Sequence, residues 1–313
     1  MKSDELVGLL NDNYFKRYLP AGGSAFKVVV APSASASTSL STSLTNMTDE
    51  GQAICLSLCG STTKLHMMDK LFFGMSSEID WDALILKFIQ KQLLPDAELP
   101  TAHAIDLNAL AVSMSLSMDQ LKTRIAMAIR DRVSHDYGYC AEFRIALAQL
   151  CLGQMQVDGA PLSPYLFLIE EWLRGELGNI SSLRGAMIFR KIQRNSARHM
   201  LYSTFRLLRQ AGYRYVILLL DIARYLESVK YCDRVSGLYH SAAAALDLYE
   251  LLRQSIDDVE QLDGTMVIVS APDCFLTDDR RGIDTYRALK MRLWSDVKLK
   301  DTQNPLAPMI RLG

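Results

Sequence analysis

Phe26-Lys27-Val28-Val29-Val30 runs into Ala31-Pro32-Ser33-Ala34-Ser35-Ala36-Ser37-Thr38, an apolar strand-like segment followed by a small, polar connection. A strand entering such a connection ahead of a helix is the setting of a phosphate-binding loop. Against the pattern G-x-x-x-x-G-K-[ST], Ala31 and Ala36 stand where glycines belong, Ser37 stands for the lysine, and only Thr38 fits. Each replacement removes a function. Glycine lets backbone N–H groups turn inward toward phosphate, and the lysine brings positive charge to the β and γ oxygens. If the connection needed left-handed backbone at Ala31 or Ala36, each alanine would cost about 1–2 kcal/mol. Losing the lysine contact would remove about 1.5–3 kcal/mol more.

Residues 33–45 contain nine Ser or Thr in thirteen, the composition of a flexible polar loop. Leu40, Leu44 and Met47 nevertheless recur at helical spacing, which predicts strand, eight-residue connection and helix. A second segment supports this reading. Tyr215-Val216-Ile217-Leu218-Leu219-Leu220 is an apolar strand ending at Asp221, the position of a Mg²⁺-side carboxylate. The next residue is Ile222, which can neither accept a proton nor orient water, where an ATPase carries glutamate. The paired replacements predict a nucleotide site without hydrolysis by the usual route.

The rest of the chain fits an α/β protein. Near-continuous apolar runs at 26–30, 53–58, 215–220 and 265–269 predict strands buried on both faces of a parallel sheet. Helical spacing marks 6–19, then 81–94, 118–132, 141–152, 165–173, 183–194 and 197–210, and later 241–262 and 285–293. The region from about 82 to 210 is therefore read as a helical insertion in one domain spanning 1–313. With 313 residues and 49% hydrophobic content, the chain can bury a substantial core. A net charge of −1 provides no global basic field for nucleic acid. The polar start Met1-Lys2-Ser3-Asp4-Glu5 and the lack of a long apolar run predict a cytoplasmic protein with no membrane contact. Six scattered cysteines, with only Cys55 and Cys59 close together, read as buried thiols of a reducing compartment.

Several stretches resemble the ATP-binding P-loop proteins of bacterial BREX (bacteriophage exclusion) defence loci. These are YLPAGGSAFK at 18–27, LLRQAGY at 207–213 and LYELLRQSIDD at 248–258, together with NPLAPMIRL at 304–312. The most specific is SAPDCFLTDDRRGIDTYRAL at 270–289, followed by Arg292-Leu293. The resemblance implies an AAA+-like P-loop NTPase fold with a parallel sheet, working with other subunits of an anti-phage complex. Carried over, Ala31 to Thr38 would be the phosphate loop, and Thr38 and Asp221 the Mg²⁺ side. Ser270 would lie near a sensor position, and Arg280 and Arg281 would face phosphates or a neighbouring subunit. The substitutions at Ala31, Ala36, Ser37 and Ile222 then predict a pseudo-ATPase scaffold or regulator. No cofactor is expected, with ATP and Mg²⁺ the ligand if the altered site still binds.

Two alternatives stay open. One is an unconventional ATPase using Thr38 and Asp221 with Lys27, Arg280, Arg281 or a partner's cation; a homo-oligomeric ring is open, as is a silent subunit that is monomeric or pairs with an active partner. The other is a DNA-binding module. Arg190, Lys191, Arg194 and Arg198 lie three and four residues apart, with Arg184 before them and Arg206 and Arg209 after. On one helix they would form a phosphate-neutralising stripe, or simply a solvated face. His66, His103, His135, His199 and His240 are scattered with no ligand spacing, and no G-x-S-x-G elbow is present. Asp257-Asp258 reads as a solvated helix end and Asp278-Asp279 as a turn.

Overall fold

The computed structural model describes residues 1–48, 52–99, 104–156, 163–227, 237–294, 304 and 306–313. Cys232, His103 and Pro305, all considered above, lie outside the described residues. The chain divides into two compact units, Met1–Met75 with Tyr213–Gly313, and Ser76–Gly212.

The first unit is built on a five-stranded sheet. Its strands are β1 (Ala25–Ala31), β2 (Ala53–Cys59), β5 (Tyr215–Asp221), β6 (Thr265–Pro272) and β7 (Met309–Arg311). β3 (Ile105–Asp106) and β4 (Met155–Gln156) form a separate two-residue pair in the second unit. The sheet order is β2-β5-β6-β1-β7, and every pairing is parallel. Burial follows position in the sheet. Central β5 is buried along nearly its whole length, whereas edge strand β2 keeps several residues partly or fully open. β7 is three residues long and ends in exposed Arg311, a short, charged edge that resists pairing with another chain.

One face of the sheet carries Val29, Ala31, Ile217, Leu219, Met266, Ile268 and Ile310. Leu6, Leu10 and Phe15 from the amino-terminal segment pack there, with Leu40 and Leu44 from the helix Ala34–Asn46. Side chains alternate between faces along a strand, so Ser270 and Asp221 continue this face two residues past Ile268 and Leu219.

The helix Ala34–Asn46 corrects the expected eight-residue connection. Only Pro32 and Ser33 separate β1 from its first turn. Ser33 is the N-cap, its Oγ accepting from the Ala36 N–H at 3.3 Å. The serine-rich run stays helical because its hydroxyls donate one turn back. Thr38 donates to Ala34 O, Thr42 to Thr38 O, Ser43 to Ser39 O and Thr45 to Ser41 O, all at 2.9–3.0 Å. Burial of Leu40 and Leu44 then fixes the helix to the sheet. With no other side-chain acceptor bonded to the Ala36 N–H among the described residues, Ser33→Ala is expected to cost about 1 kcal/mol, read as a lower urea midpoint.

The second unit is helical. Its longer helices are Trp81–Phe88, Met118–Ile129, Ala141–Gly153, Tyr165–Arg174 and Arg194–Gln210. The helix expected at 183–194 does not form. A 3-10 turn, Ile180–Ala186, closes on Met187, whose left-handed φ of 63° ends it. Gly185 sits against Tyr165, where an added Cβ would fall 2.0 Å from Oη. Residues 187–193 then run without helix, and buried Ile188 and Ile192 account for the apolar spacing. Arg190 and Lys191 therefore share no helix with Arg194 and Arg198, and the single-helix stripe is lost.

Candidate functional site

Parallel strands bring Ala31, Ser270 and Asp221 to the same carboxyl edge of the sheet. In register, Ala31 lies opposite Pro272, Asp221 opposite Ser270, and Cys59 opposite Asp221. The chain leaves β1 toward β2 and leaves β6 toward β7, in opposite directions along the sheet. Right-handed crossovers send those two connections to opposite faces, which opens a crevice between β1 and β6. This is the usual ligand position in an open parallel sheet.

Ser37 reaches across that crevice. Its Oγ hydrogen-bonds Ser270 Oγ at 2.8 Å, and Ser270 is buried. The Ser270 carbonyl accepts the Ile222 N–H at 3.0 Å, tying the residue after Asp221 to β6. Asp221 Oδ1 accepts from the Ala223 N–H at 2.9 Å. Burial pushes the Asp221 carboxyl above the usual range, the Ala223 N–H pulls it down, and Glu227 pushes it up.

Several groups that would hold a nucleoside triphosphate are engaged within the chain. A phosphate cradle needs inward backbone N–H groups. Here the Ala36 N–H goes to Ser33 Oγ and the Ser37 N–H to Ser33 O. Ala34, Ser35, Ala36, Ser37 and Thr38 are all helical. Ala31 lies in a strand, and Ala36 in a helix, so the alanines carry none of the left-handed strain expected of a loop. Thr38 Oγ1, the expected Mg²⁺ ligand, donates to Ala34 O. Pro32 and Ser33 form the turn, and Ser35 Oγ contacts Ser33 Oγ at 2.8 Å.

Two of the substitute cations, Lys27 and Arg281, are engaged in other contacts. Lys27 is four residues before Ala31 on β1, about 13 Å along an extended strand, at the amino end. Its Nζ donates to Ala307 O at 2.9 Å and sits 4.7 Å from the Tyr14 ring centroid. Burial lowers its pKa to about 8. Arg281, expected to face phosphate or a neighbour, is buried and serves as an internal clamp. Its Nη1 donates to Tyr225 O at 2.9 Å and His240 O at 2.8 Å. Tyr249 Oη donates to its carbonyl at 2.5 Å. Arg280 stays exposed, its N–H and that of Arg281 each donating to Asp278 Oδ1 at 2.7 Å. Asp278 therefore makes the expected turn. Asp257 departs from a purely solvated end, pairing with Arg253 and Arg292 at 2.5 Å each.

A cluster beside Asp221 was not legible in the sequence. The Gly60 N–H donates to Asp221 O at 2.8 Å, and His240 Nε2 lies 2.6 Å from Gly60 O. His240 stacks on Tyr225 with ring centroids 3.7 Å apart, and Tyr225 Oη lies 2.8 Å from His66 Nδ1. His66 and His240, apparently isolated in sequence, are thus 5.7 Å apart by centroids. Burial lowers the His240 pKa, against the Gly60 hydrogen bond that raises it, and Arg224, Lys64 and Arg281 lower it further. A carbonyl oxygen only accepts, so Nε2 is the donor in the contact with Gly60 O. Among the described residues, no three His, Cys, Asp or Glu side chains gather as metal ligands would.

Asp221, Ser270 and the Asp278–Arg281 turn all fall within the span covered by one family. The family described as BREX system ATP-binding protein BrxC/D matches residues 107–313, about two thirds of the chain. The chain belongs to this BREX family. The match begins after β1 and its helix, so it includes β5, β6 and β7 but not Ala31 to Thr38. No curated protein and no solved structure matches the chain. No described helix of this BREX-family chain is long and apolar enough to cross a membrane.

Proposed function

We propose that this BREX-family chain is a nucleotide-silent scaffold or regulatory subunit of an anti-phage complex, with an AAA+-like sheet kept for structure. The Ser37–Ser270 hydrogen bond carries this reading, because it occupies the position from which a lysine would reach phosphate. The family is described as ATP-binding, which makes nucleotide titration the direct test. Titration calorimetry with ATP and Mg²⁺ is expected to give no saturable heat. Saturable binding that Asp221→Ala abolishes would overturn the proposal.

Asp221→Asn separates the same alternatives through stability. Asn retains an oxygen for the Ala223 N–H and does not ionise. A carboxyl whose pKa is raised in the folded state loses stability as pH rises through that pKa. At neutral pH the substitution is therefore expected to leave the melting temperature unchanged or raise it. A chain using Asp221 to hold Mg²⁺ would instead lose nucleotide-dependent stabilisation.

A further inference from the structure

Charge is unevenly distributed along this chain. From Leu177 through Leu220 there is no Asp or Glu, while Arg184, Arg190, Lys191, Arg194, Arg198, Arg206, Arg209 and Arg214 fall within the same stretch. Arg206 is engaged by Asp136, at 2.9 Å, and Arg214 belongs to the sheet-bearing unit, which leaves the cations at 184–198 as the group of interest in the helical unit.

Within the helical unit, the non-helical run 187–193 and the first turns of Arg194–Gln210 border a cavity of about 550 Å³. Phe189, Arg190, Lys191, Asn195 and His199 line it, and Glu142 is the one acid among its lining residues. Two contacts pin the run in place. Trp172 Nε1 donates to Arg190 O at 2.9 Å, while Lys191 Nζ donates to Leu177 O at 3.2 Å and Gly178 O at 2.9 Å. Phe189 nevertheless remains 59% exposed, with Met187 beside it 58% exposed. An open aromatic face on a fixed backbone beside cations is a platform for an unstacked base. A duplex hides its base faces, and a small inorganic anion makes no use of an aromatic wall.

We propose that this cavity binds single-stranded nucleic acid, with a base stacked on Phe189 and neighbouring phosphates held by Arg190 and His199. Arg194 and Arg198, on the adjoining helix, extend the cationic track beyond the cavity. Recognition is of backbone charge and a base face, so sequence preference is weak and salt dependence strong.

Fluorescence anisotropy of the full chain with labelled oligothymidylate tests this. Binding at about 50 mM salt should weaken sharply by about 200 mM. Phe189→Ala should weaken it about tenfold, the loss of one stacked base, while Phe189→Trp should retain it. Arg190→Ala with His199→Ala should weaken binding and flatten the salt dependence. Arg130→Ala with Arg132→Ala, exposed in the same unit, should leave binding unchanged. Circular dichroism establishes that each variant is folded. No binding at the lower salt would overturn the proposal. So would equal affinity in Phe189→Ala, tighter binding to a duplex, or equal loss in the Arg130/Arg132 pair. ATP calorimetry reads the sheet and this assay reads the helical unit, so either proposal can fail alone.

Discussion

Arg281→Ala is expected to destabilise the sheet-bearing unit by about 3 kcal/mol, because two buried carbonyls lose a charged donor. The guanidinium reaches Tyr225 O and His240 O, joining the segment after β5 to the one that enters the helix Ala242–Asp257. Few other side chains could replace it. Lysine offers a point charge without the planar fork, so Arg281→Lys should recover only part of the loss. The predicted cost corresponds to a melting-temperature drop of roughly 6–12 °C for a unit of this size. A phosphate-facing or partner-facing arginine would behave differently. Its removal would leave the isolated chain's melting temperature nearly unchanged and alter only ligand or partner binding. Thermal denaturation of the purified variant thus separates an internal clamp from an arginine finger.

The same contrast shows what the sequence could disclose. Continuous apolar runs placed β1, β2, β5 and β6 within a few residues of their observed ends, because burial on both faces leaves little room for polar residues. β7 escaped for the opposite reason. Three residues carry no periodicity, and Met309–Arg311 is a strand through its pairing with Val28, Val29 and Val30. Asp221 was legible as the end of an apolar run and Ser270 through the family resemblance, and register brings them together. The helix after β1 was legible from Leu40, Leu44 and Met47, but its start at Ala34 was not. That depended on Ser33 capping the first turn and on Thr38, Thr42, Ser43 and Thr45 bonding back along the helix. Residues 183–194 failed in the reverse direction. Leu183, Ile188 and Ile192 are buried, but Met187 adopts a left-handed conformation that ends the turn. The His66–Tyr225–His240 cluster spans 174 residues of sequence, and local spacing carries no signal for it.

Tyr225 gives that cluster its largest expected effect. The side chain is fully buried, stacked on His240 at an interplanar angle of 6°, and its Oη accepts the His66 N–H at 3.1 Å. Tyr225→Ala removes the ring and leaves a cavity, at a cost of about 3–5 kcal/mol. Tyr225→Phe keeps the stack and loses only the hydroxyl, so about 1–1.5 kcal/mol is expected. The two substitutions together separate packing from hydrogen bonding. Combining Tyr225→Ala with Arg281→Ala should cost less than the sum of the two. Both depend on the same backbone, since Arg281 holds the Tyr225 and His240 carbonyls while the Tyr225 ring holds His240. Urea denaturation of the four proteins closes the cycle. A sub-additive coupling of about 1 kcal/mol or more would identify one cooperative unit behind Asp221. Strict additivity would mean that the clamp and the stack act independently, and the Gly60–Asp221 contact would then be held by the strands alone.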